Sequence, residues 1–480
     1  MAIQEQVVAE ITRQVIARLR SDVRSGLAQV SDTPSFEQRD GLFATVDEAV
    51  SAAFEAQKRV GAMSLAERGR MVDIIRRVCM DRREELGRME LAETKVGRLD
   101  HKILKLTNMR FVLGVEAMRS DARSDTSGLC VIERAPWGVI GMLLPVTHSV
   151  PTMASNAINI LAAGNTAVFG PHPSGTKVAQ YALQLFNREI EREVGVANVL
   201  TTILKPSIEA ADQIFNHPKV ALLCVTGGAA VAQAAAKSGK RVIAGGPGNP
   251  PVVVDETADL DHAAKCIIAG AAFDNNLLCI GEKEVFVVAS VADAFIQAMR
   301  RAHAYQLDAP AIERLTKAAF TFDGDGGGCA RAHVKKDLVG KDVAVLASAA
   351  GVRVPQEAEL LFGETAEDHP FVVEEQMMPF LPVVRVRDVD VAIAASVKAE
   401  HGYRHTAIIH TRDAGTATRM ARAMNTTLFI HNAASPASLG VGGPGYFSHT
   451  IATPTGEGIT TPLTFTRERQ IVVGNALRII

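Results

Sequence analysis

From Val46 to about Met118 the apolar positions recur at helical spacing, and the stretch reads as packed helices. From Val139 the pattern changes. Short β-branched runs alternate with longer runs of helical period: Val139–Leu144, Thr166–Phe169 and Ala221–Val225 read as strands, and Pro151 to Ala163, Ser174–Ile190 and Ala229–Ser238 as helices. Pro151 near a helix start and Gly164 just past its end follow the usual asymmetry of helix termini. Gly227-Gly228 opens the next helix and Gly239 stops it. A second alternating block runs from Val252 to about Ile430. This rhythm predicts an α/β protein with two doubly wound, mostly parallel lobes. A polar, hairpin-like stretch (Ser120 to Arg134) precedes the first block, and a Gly/Thr-rich tail from Gly440 ends in a strand-like Gln470–Val473.

The first twenty residues stand apart. Ile3, Val7, Ile11, Val15 and Leu19 recur every four residues, and Val8 and Ile16 widen the stripe. Glu5, Arg13, Gln14, Arg18 and Arg20 lie mostly off it, so the segment is an amphipathic helix. A polar linker from Ser21 to about Gly41 comes next. Such a stripe either folds back on its own domain or docks on a partner, and the loose tether favours the partner.

Composition narrows the class. The chain has 480 residues, 47% of them apolar and 22% charged, with a net charge of −2 and no long basic run, which speaks against nucleic acid as a partner. No apolar stretch approaches a membrane span, and Gln, Glu and Arg interrupt the N-terminus where a signal peptide would need an apolar core. Six scattered cysteines (79, 130, 224, 266, 279, 329) form no CxxC pair and no metal-ligand spacing. Free thiols in a reducing, cytoplasmic compartment are expected, with no metal. Cys279 differs from the rest. It lies between a helix-like run (Leu260 to Phe273) and a β-branched strand-like run, on a turn where a thiol can meet a substrate. A lone cysteine is more often a small buried hydrophobe, so its surroundings must decide.

Three further segments supply those surroundings: Ala135-Pro136-Trp137-Gly138 with Pro145-Val146-Thr147-His148, then Leu161-Ala162-Ala163-Gly164-Asn165 to Phe169-Gly170-Pro171-His172-Pro173, and Glu374-Glu375-Gln376-Met377-Met378-Pro379-Phe380. With Phe273-Asp274-Asn275-Asn276-Leu277-Leu278-Cys279, and in this order, they resemble the aldehyde dehydrogenase superfamily from about Thr45 to the C-terminus. Members that hydrolyse their acyl-enzyme carry a Glu that activates water. Here Ala244, in Ala244-Gly245-Gly246-Pro247, stands at that position and offers no general base. The chain is therefore similar to the coenzyme A-acylating branch, and above all to the propionaldehyde/acetaldehyde enzymes of bacterial microcompartments, with Glu400 to Thr406 and Gly456 to Thr460 as further signatures.

That resemblance implies a Cys279 thioacyl-enzyme, formed from a short-chain aldehyde with NAD and passed to coenzyme A. It implies cofactor contacts from Thr147, Phe169, Pro171, His172, Pro173, Thr226, Gly227, Gly228, Gly245 and Glu375. The implied domains are a targeting helix (1–20) and linker (21–41), a dinucleotide-binding domain (42–119 and 136–244), a thiol domain (245–436), and a β flap for oligomerisation (120–135 and 437–480). The family's helix binds microcompartment shell proteins, which would place the enzyme in the lumen as a homodimer or homotetramer. One departure stands out. The branch usually has an Asn where this chain has His148, so His148 either takes over the role of oxyanion donor or packs elsewhere. A hydrolytic dehydrogenase and a non-catalytic cargo or scaffold protein are the alternatives.

Overall fold

The computed structural model describes residues 39–323 and 332–477, apart from the side chains of Ala229 and Ala230. The amphipathic helix expected at 1–20, most of the expected linker and Cys329 lie outside the described residues. Two compact units form: Lys95–Lys102 with Pro247–Gly445, and the rest of the described chain up to Thr94, Ile103–Gly246 and Tyr446 onward. The first is the thiol unit and the second the glycine-turn unit. No described helix is long and apolar enough to cross a membrane.

The glycine-turn unit is built on a six-stranded parallel sheet. Its spatial order is Leu42–Phe43, Leu200–Ile203, Thr166–Gly170, Val139–Leu143, Val220–Thr226 and Arg241–Gly245. Most positions in these strands are buried, as expected for parallel strands covered on both faces. The three strands anticipated between Val139 and Val225 appear within one residue of their expected ends, whereas the tail strand expected at Gln470–Val473 starts four residues earlier, at Thr466. Helices Val46–Ala62 and Leu65–Asp81 open with complete capping boxes at Thr45 and Ser64, where side chain and backbone satisfy each other's first-turn donors. Helix Ser149–Ala162 is buried along its whole length. Asn165 ties the first strands together: its side-chain oxygen accepts from the N–H of Trp137 (2.7 Å) and Gly138 (2.9 Å), and its amide donates to the Phe465 carbonyl (2.9 Å).

The hairpin stretch forms Asp121–Asp125 and Gly128–Pro136, and Thr466–Gly474 adds a third antiparallel strand to it. On that added strand Ile471 is 43% and Val472 70% exposed.

The thiol unit carries a seven-stranded parallel sheet, in the order Tyr305–Gln306, Leu361–Glu364, Phe380–Val386, Glu284–Val288, Pro251–Val254, Thr406–His410 and Leu428–His431. Val253, Phe286, Val384, Ala407 and Ile409 form one side of its core with the helices attached to the strands. The strand order reverses beside Pro251–Val254, so this unit too is doubly wound.

Candidate active site

Helix Leu260–Ala271 ends short of Cys279 and passes into a tight 3-10 turn, Phe273–Asn276. Asp274, Asn275 and Asn276 all take left-handed backbone angles (φ 49°, 58° and 64°). Asp and Asn tolerate that region better than other side chains, but three in a row need external support. The surroundings supply it. Asp274 Oδ1 accepts from the Arg98 N–H (2.8 Å), and the Asp274 N–H donates to His101 Nδ1 (2.8 Å). Asn275 donates to the Gly340 carbonyl (3.0 Å) and to Asp342 (2.8 Å), and Asn276 donates to the carbonyls of Ala271 (2.8 Å) and Glu282 (2.9 Å). Gly97 must be glycine, because a Cβ there would sit 2.3 Å from the Asp274 carboxylate.

This braced turn delivers Cys279 into a second one. The Gly281 N–H donates to the Leu278 carbonyl (3.1 Å), which puts Cys279 and Ile280 at the two central positions. Cys279 is thus a half-buried residue on a turn, as its sequence position suggests. Beneath it lies Lys283, with no exposed surface, donating to the carbonyls of Asn276 (2.8 Å) and Leu278 (3.0 Å) and to the Asn276 side chain. One buried ammonium therefore holds the backbone on which the thiol rides.

The electrostatics around Cys279 are divided. Burial pushes its thiol up to about 12 and Glu375 pushes it the same way, while Lys283 and the backbone N–H groups of Cys279 and Ile280 pull it down. The resting thiol is protonated and needs a base. Burial also raises Glu375, against the pull of Lys283 and a hydrogen bond from the Gly248 N–H. Gly248 is the close-approach glycine of this site: a Cβ there would lie 2.5 Å from the Cys279 carbonyl oxygen and 3.0 Å from the His405 ring. His405 is buried and held neutral, its imidazole pushed down to about 3 chiefly by burial and then by Lys283. Its Nδ1 pairs with Thr406 Oγ1 (2.8 Å), whereas Nε2 has no partner among the described residues. Glu284, also fully buried and without partners among the described residues, is held well above the usual carboxylate range by burial and is therefore neutral. These groups precede strands or, for Glu284, open one, so the candidate residues of the thiol unit collect at the amino edge of its sheet.

The glycine-turn unit gathers its candidate residues at the other edge. Its strand order reverses between Val139–Leu143 and Val220–Thr226, and the chain leaving those strands is Pro145–His148 and Thr226-Gly227-Gly228. Ligands of open α/β sheets bind at such a switch point, beyond the carboxyl ends of the strands. A Cβ on Gly227 or Gly228 would meet nothing within 4 Å, so the fold itself does not demand glycine there. Gly228 opens helix Ala229–Ala236, whose first N–H groups suit a pyrophosphate approaching a bare backbone. Thr226 is held by Thr450 (2.9 Å), and Gly245 closes the neighbouring strand. Phe169 is fully buried in its strand, so a ligand at that strand can meet only the residues beyond its end. There His172 is exposed and caps the short turn Pro173–Gly175, with Pro171 buried beside it. Thr147 and His148 pair through Oγ1 and Nε2 (3.0 Å). Ala244 is buried, 3% exposed, so no carboxylate stands at that position.

Cys279 and Glu375 thus share the first cluster, and Thr147, His148, Thr226, Gly227, Gly228, Gly245, Pro171, His172 and Pro173 lie along the second edge. Sequence reasoning missed Lys283, Glu284 and Gly248, and quoted His405 without a role. A signal was present: Glu282-Lys283-Glu284 sets three charges in a row between Gly281 and the apolar run Val285–Val288. Three ionisable groups entering a fully buried strand imply a partnered cluster. Cys224, fully buried in its strand, and Cys266, in its helix, have thiols pushed up by burial and play a packing role.

The chain is similar to known proteins over nearly its whole length. The profile of the aldehyde dehydrogenase family matches residues 29–316. The acetylating acetaldehyde dehydrogenase of Escherichia coli K12 is 42% identical over 479 residues, covering 99% of this chain and 100% of that protein. A propionaldehyde dehydrogenase of Rhodopseudomonas palustris, solved with bound coenzyme A and an acylated cysteine, superposes with a TM-score of 0.87 at 40% identity, covering 91% of this chain and 98% of that one. A propionaldehyde dehydrogenase from the fucose utilisation microcompartment of Clostridium phytofermentans superposes with a TM-score of 0.88 at 38% identity, covering 92% and 100%. The chain belongs to the aldehyde dehydrogenase family.

Proposed function

We propose that this protein oxidises a short-chain aldehyde to its acyl-coenzyme A thioester with NAD, using Cys279 as the nucleophile. The observation that carries the reading is the Leu278–Gly281 turn, which presents Cys279 on a backbone held from within by the buried ammonium of Lys283. The Lys283 charge and the backbone N–H groups of Cys279 and Ile280 favour the thiolate that attacks. The thiolate adds to the aldehyde carbon, and the resulting oxyanion needs fixed donors. The Cys279 N–H is one, and His148 is the second. NAD held at the glycine turn would supply the hydride acceptor. The thioester on Cys279 then exchanges with the coenzyme A thiol: the new C–S bond forms as the bond to Cys279 breaks, and the proton returns to the cysteine side. Ala244 offers no base for water, so a thiol and not water releases the acyl group.

Glu375 is the proposed ribose contact, and the turn at Thr226–Gly228 the proposed pyrophosphate contact. The helix at 1–20 is proposed to dock on microcompartment shell proteins. The outward Ile471 and Val472 on the third flap strand favour pairing of subunits into dimers or tetramers.

Production of NADH from propionaldehyde, with and without coenzyme A, tests the function. Strict dependence on coenzyme A is expected. Acid formation without coenzyme A would make the protein hydrolytic, and silence in both assays would make it a scaffold. Removing residues 1–20 should leave specific activity intact and end co-purification with shells; loss of activity would refute the targeting role.

A further inference from the structure

His148 occupies a defined electrostatic setting within the glycine-turn unit. It is 7% exposed and stands at the N-cap position of helix Ser149–Ala162, yet its side chain makes no capping bond. The ring is turned instead toward Lys105, on helix Leu99–Thr107, which is 1% exposed and places Nζ 3.2 Å from His148 Nδ1. The other ring nitrogen, Nε2, lies 3.0 Å from Thr147 Oγ1. The His449 ring packs alongside, 5.4 Å between centroids at 32°, and is itself held edge-on by Phe447 at 4.9 Å. The Ser149 hydroxyl donates to the Pro145 carbonyl (3.0 Å), and the Thr152 N–H to the His148 carbonyl (2.9 Å), so the backbone under the ring is fixed too.

An ammonium group has three donors and no acceptor, so at 3.2 Å from Nδ1 that nitrogen must accept. A neutral ring then carries its proton on Nε2, aimed at Thr147. A doubly protonated ring would bring two donors and two positive charges face to face. We infer that Lys105 is a positioning residue that locks His148 in the neutral Nε2–H form, making the His148–Thr147 pair a directed, uncharged hydrogen-bond donor. This explains how an imidazole can stand where related enzymes have an amide. Left to itself, imidazole has two tautomers and a cationic form, only one of which matches an amide N–H; the lysine selects it. The inference rests on the reading of His148 as the donor to the aldehyde oxygen, and it adds that the Nε2–H acts through the Thr147 hydroxyl it is hydrogen-bonded to and that Lys105 holds it in that form.

The test uses the full-length protein with 15N-labelled histidine, the His148 signals being assigned by their loss in His148→Asn. The expected spectrum has a protonated Nε2 and an unprotonated Nδ1. Lys105→Met should replace it with mixed tautomers and lower the coenzyme A-dependent kcat by about 10- to 100-fold, the range for a weakened oxyanion donor. Lys105→Arg, which keeps a charged donor, should restore both the spectrum and most of the rate. If Lys105→Met does not fold, Thr147→Val serves: the Nε2–H form should persist, because Lys105 and not Thr147 selects it, while kcat falls. A wild-type signal protonated at Nδ1, or a Lys105→Met protein with unchanged spectrum, overturns the inference. A spectrum that tracks Lys105 while kcat does not move overturns His148 as donor and leaves the tautomer assignment standing. Absence of coenzyme A-dependent turnover in the wild type defeats the proposed function instead, and the spectrum is read without turnover.

Discussion

The two parallel sheets of this protein put their chemistry on opposite edges. In the glycine-turn unit the candidate residues lie beyond the carboxyl ends of the strands, at the point where strand order reverses. In the thiol unit the same kind of point, between Pro251–Val254 and Thr406–His410, is closed by side chains. Thr257 and Thr411 both donate to Asp255 through their hydroxyls. The N–H of Thr257 donates to Asp255 (2.9 Å), that of Arg412 to Thr257 Oγ1 (2.7 Å) and that of Asp413 to Thr411 Oγ1 (3.0 Å). Side chains therefore take up the backbone donors that a ligand would need. The reactive groups of that unit instead precede the strands, on a left-handed turn braced by buried polar side chains. A switch point is a site only where the chain leaves backbone N–H groups bare. Where side chains consume them, a site must be built from a strained loop, and it then depends on single buried residues.

That contrast is tested most severely at Cys279. Cys279→Ala should lower coenzyme A-dependent turnover on the order of 1000-fold or more, with the melting temperature nearly unchanged, since a half-buried thiol on a turn is lost without a core contact. Steady-state NADH production and a thermal melt decide it, and substantial residual activity would remove the thiol unit from the chemistry. Lys283→Met comes next. It strands the carbonyls of Asn276 and Leu278 and leaves Glu375 without its buried cation, and should cost about 3–5 kcal/mol in urea unfolding besides disabling the thiol. An active and stable Lys283→Met protein would mean that the turn supports itself.

Glu282 sharpens the comparison through pH. Its carboxylate receives the Ser435 N–H (2.9 Å) and hydroxyl (2.8 Å), yet burial raises it to about 7. A raised folded-state value means that the folded protein holds the proton more tightly than the unfolded chain. The associated stability is fully present below about 4.5 and is lost as pH rises through about 7. Glu282→Gln, which keeps the neutral shape, should be nearly silent at pH 5 and relatively stabilising at pH 8, by up to about 3 kcal/mol. Urea midpoints at the two pH values measure it, and a difference that does not change with pH would refute the assignment. The smallest effect belongs to the other unit. Gly227→Ala meets no atom within 4 Å, so stability should stay within about 0.5 kcal/mol while KM for NAD rises about tenfold. Unchanged KM would mean that the bare turn is not the pyrophosphate contact.

Much of this was legible in the chain itself. The period of apolar residues marked the strands from Val139 to Val225, because parallel strands buried on both faces must be continuously apolar. Cys279 was legible as a turn residue because a helix pattern stops and a strand pattern starts around it. Ala244 was legible because a missing carboxylate is a matter of composition, not of placement. Lys283 and Gly248 were not, since their meaning depends on what lies against them: a lysine in a charged triplet looks solvated, and a glycine in Gly245-Gly246-Pro247-Gly248 looks like any turn. Local pattern determined the elements and the reactive residue, because periodicity and turn chemistry act over a few neighbours. Only the tertiary structure decided which edge of each sheet carries the candidate residues, and that Lys105, 43 positions away, lies 3.2 Å from the His148 ring. Burial and charge act through space, and partners that far apart in the chain leave no local mark.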